Sequence, residues 1–154
     1  MKKHSVSRRL MKTINKINDN FNDNNNNYFI SNYNLELYNC FVNSYVFIDN
    51  NVINVKIVIS FDYPFHPPKI LINGIDYRNL LRTPYHFLLL VNNPKCMCCS
   101  TILCKWAPIY NLNTCIEEVV TNMKQKKKII ERFHLKKIID KYLIEDLNYI
   151  IEYL

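Results

Sequence analysis

The chain is predicted to fold as an α+β protein: an N-terminal helix, an antiparallel β-meander of about four strands, and C-terminal helices. Apolar residues recur at helical spacing near the N-terminus, alternate with polar residues in the middle of the chain, and return to helical spacing after Trp106. Strands grouped between helices are typical of the α+β class. At 154 residues and 49% hydrophobic content, the chain suits one hydrophobic core, and we predict a single domain over residues 1–154.

The first helix is predicted from five apolar residues that share one narrow face: Val6, Leu10, Ile14, Ile17 and Phe21. A basic stripe, formed by Arg8, Lys12 and Lys16, occupies the opposite side. The segment 19–27 is almost entirely Asn and Asp, which favours a polar break after the helix. The basic stripe is either an ordinary solvent-exposed face or a surface for an acidic partner.

Strands are predicted next. Tyr33, Leu35 and Leu37 alternate with polar residues, and two strands at 45–48 and 52–61 are joined by Asp49, Asn50 and Asn51, residues that tolerate tight turns. A fourth strand at 70–72 ends at Asn73 and Gly74. We expect the core face of the longest strand to consist of alternating apolar residues: Ile53, Val55, Ile57, Ile59 and Phe61.

The last third of the chain is predicted to be helical. Thr114 and Glu117 fit a capping box, in which both side chains satisfy backbone N–H groups at a helix start. Three amphipathic stretches follow, at 116–123, 135–142 and 147–154. The pattern therefore predicts several helices after the sheet.

Composition limits the function. The single glycine, Gly74, argues against a phosphate-binding loop, which needs several glycines. No segment reaches the ~20 apolar residues that span a bilayer, and the charged N-terminus does not resemble a secretory signal. Six irregularly spaced cysteines do not form the pattern of a secreted disulfide framework, which indicates a reducing compartment, the cytosol or nucleus. The net charge of +7 and a pI of about 9.1 permit nucleic-acid binding or an acidic protein partner.

Three short motifs point to one family. Residues 63–69 read Tyr-Pro-Phe-His-Pro-Pro-Lys, residues 99–103 read Cys-Ser-Thr-Ile-Leu, and residues 106–108 read Trp-Ala-Pro. Three prolines within five residues require a stiff loop between strands. A proline loop, then a Cys-x-x-Ile-Leu stretch, then Trp-x-Pro before a helix resembles the core of ubiquitin-conjugating enzymes. The resemblance covers about residues 5–125, which leaves a helical extension at about 126–154.

The resemblance implies that Cys99 accepts ubiquitin or a ubiquitin-like modifier as a thioester from an activating enzyme, and passes it to a lysine with the help of a ubiquitin ligase. Cys98 matches the family's usual distance to the tryptophan and is the alternative nucleophile. Family docking positions fall on Phe65 and Pro67 in the first loop and on Pro108 and Ile109 in the second. We further expect Arg8 and Lys12 to meet an acidic partner. No cofactor, metal, membrane or nucleic-acid partner is expected.

Alternatives remain open on the sequence alone. The family's His-Pro-Asn motif ahead of the cysteine is absent, and an insertion at 80–95 separates Asn79 from Cys99. An inactive ubiquitin-conjugating-like scaffold is therefore the second hypothesis. The clustered cysteines, Cys96, Cys98, Cys99 and Cys104, also permit a zinc-dependent adaptor or nucleic-acid-binding module. A cysteine protease would need histidine and asparagine partners brought together by the fold, for which the sequence gives only weak support.

Overall fold

The computed structural model describes residues 3–23, 27–36, 39–82, 89 and 97–152, with side chains between Arg8 and Tyr142. It has the predicted α+β architecture of an N-terminal helix, an antiparallel sheet and a C-terminal helix. The elements in chain order are α1 (Lys3–Asn22), β1 (Tyr28–Glu36), β2 (Asn39–Ile48), β3 (Asn51–Ile59), β4 (Lys69–Ile72), β5 (Ile75–Asp76), α2 (Tyr77–Leu81), a 3₁₀ turn (Met97–Cys99) and α3 (Leu112–Glu152).

The sheet is a meander in the order β1-β2-β3-β4-β5, with every neighbouring pair antiparallel. The predicted turn between β2 and β3 is present, and Asp49 adopts a positive φ of 53° there. Four strands were expected, and the fifth is a two-residue strand that pairs with β4. It forms because Asn73 (φ 48°) and Gly74 (φ 82°) reverse the chain tightly enough to return it to the sheet.

The core lies between the helices and one face of the sheet. Helix α1 buries Leu10, Ile14 and Ile17 as its pattern predicts, whereas the side chain of Val6 lies outside the described residues. The sheet contributes alternate positions of its central strands, including Val46 and Ile57, which are fully buried. Helix α3 contacts both α1 and β2, so the two long helices cover the same apolar surface.

Two strand predictions were wrong in detail. Phe61 is 77% exposed, because β3 ends at Ile59 and the chain turns there toward the proline loop. In β1 the buried residues are Tyr28 and Ile30, at the start of the strand, while Tyr33 is largely exposed. Leu37, the third residue of that prediction, lies outside the described residues. The alternation of apolar and polar residues therefore predicted where the strands lie. It did not predict which residues of each strand the helices bury.

The helical region also differs from the prediction. It is a single helix from Leu112 to Glu152 instead of several, since no proline or glycine interrupts the segment. Thr114 and Glu117 do not form the expected capping box. Asn111 precedes the helix, and its Oδ1 accepts hydrogen bonds from the Thr114 backbone N–H (3.1 Å) and hydroxyl (3.3 Å).

Candidate functional site

The proline loop and the Trp106 turn are joined directly. The indole Nε1 of Trp106 donates a hydrogen bond of 2.7 Å to the Pro64 carbonyl oxygen. The Tyr63 and Trp106 rings pack with centroids 6.0 Å apart, and the Tyr63 hydroxyl donates to the Tyr110 carbonyl oxygen over 3.5 Å. Burial raises the pKa of Tyr63 to about 12, so its hydroxyl remains a donor at neutral pH. Two segments more than 40 residues apart in sequence thus pack together as one unit.

The unit presents apolar side chains to solvent. Phe65 is 77% exposed and Ile109 is 78% exposed, on adjacent loops. Pro108 is also exposed, whereas Pro67 is half-buried. The predicted docking residues therefore lie on the two loops that Trp106 joins, and three of the four are accessible. Exposed apolar side chains on rigid loops are the kind of anchor that dominates small protein–protein contacts.

The basic side of α1 borders this surface. Arg9 Nη2 lies 3.5 Å from the Pro108 carbonyl oxygen, which ties the helix to the second loop. Arg8 and Lys12, predicted as partner-binding residues, are exposed on the same helix. The structure therefore places cationic side chains on the helix that borders the exposed apolar loops, an arrangement suited to an acidic partner.

Cys99 lies at the end of the short 3₁₀ turn and is exposed to solvent. The residues on both sides of it are anchored, since Met97, Thr101 and Leu103 are buried in the core. The Ser100 hydroxyl donates to the Met97 carbonyl oxygen over 3.1 Å, which closes the turn. The thiol is therefore presented on a short, fixed segment. The predicted alternative, Cys98, is half-buried, and its Sγ lies 3.7 Å from Cys99 Sγ.

A polar network that sequence analysis missed holds the turn after Cys99. The Glu118 carboxylate on α3 accepts a hydrogen bond of 2.6 Å from the Ile102 backbone N–H and one of 3.1 Å from the Tyr77 hydroxyl. Asn122 donates to the Tyr77 hydroxyl oxygen over 2.7 Å. Burial raises the pKa of Glu118 despite both hydrogen bonds. Burial likewise raises the pKa of Tyr77, which is fully enclosed.

A second contact connects the turn to α2. Arg78 Nη2 donates to the Leu103 carbonyl oxygen over 3.0 Å, and the Arg78 backbone N–H donates to Asp76 Oδ1 at the start of α2. Together with Pro67 and Pro68, these residues line a cleft of about 210 Å³ between the proline loop and the cysteine turn. The lining residues include the predicted docking residue Pro67 but not Cys99.

The other thiols do not form a second reactive centre within the described residues. Cys104 Sγ lies 3.3 Å from the Cys98 carbonyl oxygen and 3.4 Å from the Thr101 hydroxyl. Cys115 is buried in the core, and burial raises its pKa to about 12. Among the residues described, no group of three or more His, Cys, Asp or Glu side chains is placed to hold a metal. Cys96, the fourth cysteine of the zinc hypothesis, lies outside them.

The described histidines do not meet the thiol. His66 Nδ1 lies 3.5 Å from Asp62 Oδ2 on the surface of the proline loop. His134 lies on α3 beside Phe133, far along the helical extension. His86 falls outside the described residues. Within the described part of the chain, the structure therefore adds no support for a cysteine protease.

Comparison with known proteins adds no relative. No protein-family profile matches the chain, and no match was found among curated proteins or among solved structures. Within the described residues, no helix is long and apolar enough to cross a membrane.

Proposed function

We propose that this chain is a divergent ubiquitin-conjugating enzyme, which carries ubiquitin or a ubiquitin-like modifier as a thioester on Cys99. The observation that carries the proposal is the hydrogen bond between Trp106 Nε1 and the Pro64 carbonyl oxygen. It brings together two of the three motifs on which the sequence resemblance rests, the proline loop and the Trp106 segment. Loop motifs that matched by chance would have no reason to pack against each other.

The chemistry requires a thiol that two other proteins can reach. In loading, the Cys99 thiolate attacks the thioester carbonyl carbon of the modifier on the activating enzyme, and that enzyme's thiolate leaves. In discharge, a lysine amine attacks the new thioester, the Cys99 thiolate leaves, and the amine's proton passes to solvent. Cys99 is exposed on a turn whose neighbouring residues are buried, which supports this role. The activating enzyme and the acceptor lysine could both reach the thiol without disturbing the hydrophobic core.

The surface around the two loops supports the proposed partners. Phe65 and Ile109 would insert into a ubiquitin ligase, while Arg8 and Lys12 would meet an acidic activating enzyme. The exposed thiols of Cys99 and Cys104, which form no disulfide, support a reducing compartment, the cytosol or nucleus.

A second candidate is an inactive scaffold with the same docking loops. It is favoured by the surroundings of the thiol: among the described residues, the only polar side chain found within bonding distance of Cys99 Sγ is that of Cys98. A tetrahedral intermediate at Cys99 needs hydrogen-bond donors for its oxyanion, and the family motif that carries an asparagine is absent from the sequence. The scaffold would bind a ligase through Phe65 and carry no thioester.

A thioester assay separates the two candidates. The wild-type chain is incubated with activating enzyme, ATP and a panel of modifiers, and adducts are resolved on gels with and without reductant. We expect a reductant-sensitive adduct that Cys99→Ala abolishes and Cys98→Ala largely preserves. Cys104→Ala serves as the matched control, because Cys104 is another exposed thiol nearby. An adduct lost only in Cys98→Ala would move the site by one residue, and no adduct with any modifier would favour the scaffold.

A further inference from the structure

Two thiols meet at the cysteine turn. Cys98 and Cys99 follow each other in the 3₁₀ turn, and their Sγ atoms lie 3.7 Å apart, close enough to be in direct contact. Successive side chains of a 3₁₀ helix point about 120° apart, because the helix has three residues per turn. Adjacent cysteines in such a turn therefore need not touch, and the contact between these two sulfurs is a property of the folded turn.

The two thiols differ in exposure. Cys99 is exposed, whereas Cys98 is half-buried and packs against the hydrophobic core. A dissolved oxidant therefore meets Cys99 first, while the sulfur of Cys98 stays beside it. Redox-sensing cysteines commonly have this arrangement, in which an accessible thiol lies next to a second thiol that can react with its oxidised form.

Cys104, another exposed thiol close to the turn, is engaged elsewhere. Its Sγ donates to the Cys98 carbonyl oxygen over 3.3 Å and accepts from the Thr101 hydroxyl over 3.4 Å. Cys104 would have to give up both hydrogen bonds to reach Cys99. Among the described residues, no third His, Cys, Asp or Glu side chain is placed to complete a metal site with the pair. The geometry therefore favours a bond between the two sulfurs over coordination of an ion.

We propose that Cys98 and Cys99 form a reversible oxidation site, at which hydrogen peroxide converts the two thiols into a disulfide. The Cys99 thiolate attacks one peroxide oxygen, the O–O bond breaks, hydroxide leaves, and Cys99 becomes a sulfenic acid. The Cys98 thiolate then attacks that sulfur, the S–O bond breaks, and hydroxide leaves again. The two hydroxide ions take up the two protons that the thiols released, so the protein loses two electrons and the peroxide becomes two molecules of water.

The disulfide should be easy to reduce. Adjacent Cα atoms lie about 3.8 Å apart across a trans peptide bond, whereas bridged cysteines usually have Cα atoms about 4.4–6.8 Å apart. Closing the bridge would therefore distort the turn, whose neighbours Met97 and Thr101 are both buried in the core. Strained disulfides are the labile and regulatory ones. Cellular dithiols should therefore restore the Cys98–Cys99 pair after oxidation.

The oxidation site needs only the two thiols and does not depend on the proposed function. Where Cys99 carries a modifier, the disulfide would remove the nucleophile and block loading until it is reduced. That consequence alone rests on the proposed function. The measurements that test the site therefore use neither activating enzyme nor modifier.

The test counts thiols in the full chain. Reduced protein is treated with a few-fold excess of hydrogen peroxide, capped with N-ethylmaleimide and weighed intact by mass spectrometry. We expect the loss of two maleimide-reactive thiols, a chain about 2 Da lighter before capping, and recovery of both thiols after dithiothreitol. Fragmentation of the tryptic peptide 96–105 should place the bridge between Cys98 and Cys99.

Variants assign the two roles. Cys98→Ser should stop the reaction at a sulfenic acid on Cys99, which dimedone traps, and Cys99→Ser should consume peroxide about tenfold more slowly. Cys104→Ser is the matched control, because it removes another exposed thiol near the turn and should leave the loss of two thiols intact. Cys96→Ser should do the same. Circular dichroism of each variant checks that it is folded.

Loading assays on oxidised, desalted protein separate this site from the proposed function. A wild-type chain that forms the disulfide but never carries a modifier sustains the oxidation site and counts against the enzyme. A bridge to Cys104 or Cys96, a disulfide between two chains on a non-reducing gel, or a Cys99 sulfinic acid formed while Cys98 still reacts with maleimide would each overturn the proposal. A loss of two thiols that Cys98→Ser leaves unchanged would overturn it as well.

Discussion

Replacing Glu118 by alanine should destabilise the protein by about 3 kcal/mol. The change removes the acceptor of two hydrogen bonds, from the Ile102 backbone N–H and from the Tyr77 hydroxyl. A donor left without a partner inside a protein costs about 1–3 kcal/mol. Ile102 is half-buried, so we assign about 1 kcal/mol to its N–H losing an acceptor. Tyr77 is fully buried, so we assign about 2 kcal/mol to its hydroxyl losing an acceptor.

Urea unfolding at pH 7, followed by circular dichroism, measures this change, and thermal unfolding should show a decrease in Tm of roughly 6–12 °C. Glu118→Gln keeps one acceptor oxygen and should lose less than half as much. Glu131→Ala is the matched control on the same helix: Glu131 is exposed, and its removal should change the free energy of unfolding by no more than about 0.5 kcal/mol. A Glu118→Ala variant as stable as that control, or a Gln variant as unstable as the Ala variant, would refute the network as an anchor.

The same carboxyl should make stability depend on pH. Burial raises the pKa of Glu118 in the folded protein above its ordinary value of 4.5. Between those two values the unfolded chain has lost the proton that the folded protein still holds. The part of the stability that comes from this raised pKa is therefore fully present below pH 4.5 and declines as the pH rises through the folded-state pKa, whereas the hydrogen bonds to the carboxyl group persist at pH 7. The difference in unfolding free energy between wild type and Glu118→Gln should therefore decrease as the pH rises over that window. A difference that stays constant or increases would contradict a raised pKa at Glu118.

Three further predictions concern the proposed docking surface. Phe65→Ala should change stability by less than about 0.5 kcal/mol while it slows ligase-stimulated discharge, because the ring is 77% exposed; a loss of about 3–5 kcal/mol in urea unfolding would instead identify a core residue. Trp106→Phe should cost about 1 kcal/mol through the hydrogen bond to Pro64, measured by urea unfolding followed by circular dichroism, and an unchanged stability would show that this bond does not join the loops. Reversing Arg8 and Lys12 to glutamate should slow thioester loading at low salt, with the difference narrowing as salt screens the charges; loading at the wild-type rate in low salt would make this face an ordinary solvated one.

Most of the fold follows from local patterns in the sequence. The apolar face of α1 at Leu10, Ile14 and Ile17 is buried as its spacing predicts, and the turn at Asp49 lies where the sequence places it. These features depend on residues close to one another in the chain, so periodicity and turn chemistry suffice to find them. The wrong details lie where an element ends. Phe61 continues the alternation of β3 but falls in the turn beyond it.

The candidate site could be predicted only in part. The proline loop, Trp106 and Cys99 are visible as motifs, but Glu118 and Tyr77 are not, because neither residue belongs to a short motif. The sequence pattern points instead to the adjacent Glu117, which fits a capping box. Only the packed structure shows which of these two neighbouring carboxylates contacts the turn after Cys99. The sequence of a helix does not say which other element packs against each of its faces.

The class of fold, the position of the sheet and the stiff proline loop follow from the sequence alone, because each arises from the preferences of neighbouring residues. The tertiary structure decided what lies together. It joins Trp106 to Pro64, 42 residues away, and it connects Glu118 to the turn after Cys99. Such contacts depend on how whole elements pack, and residues distant in the chain carry no local signal of their eventual neighbours.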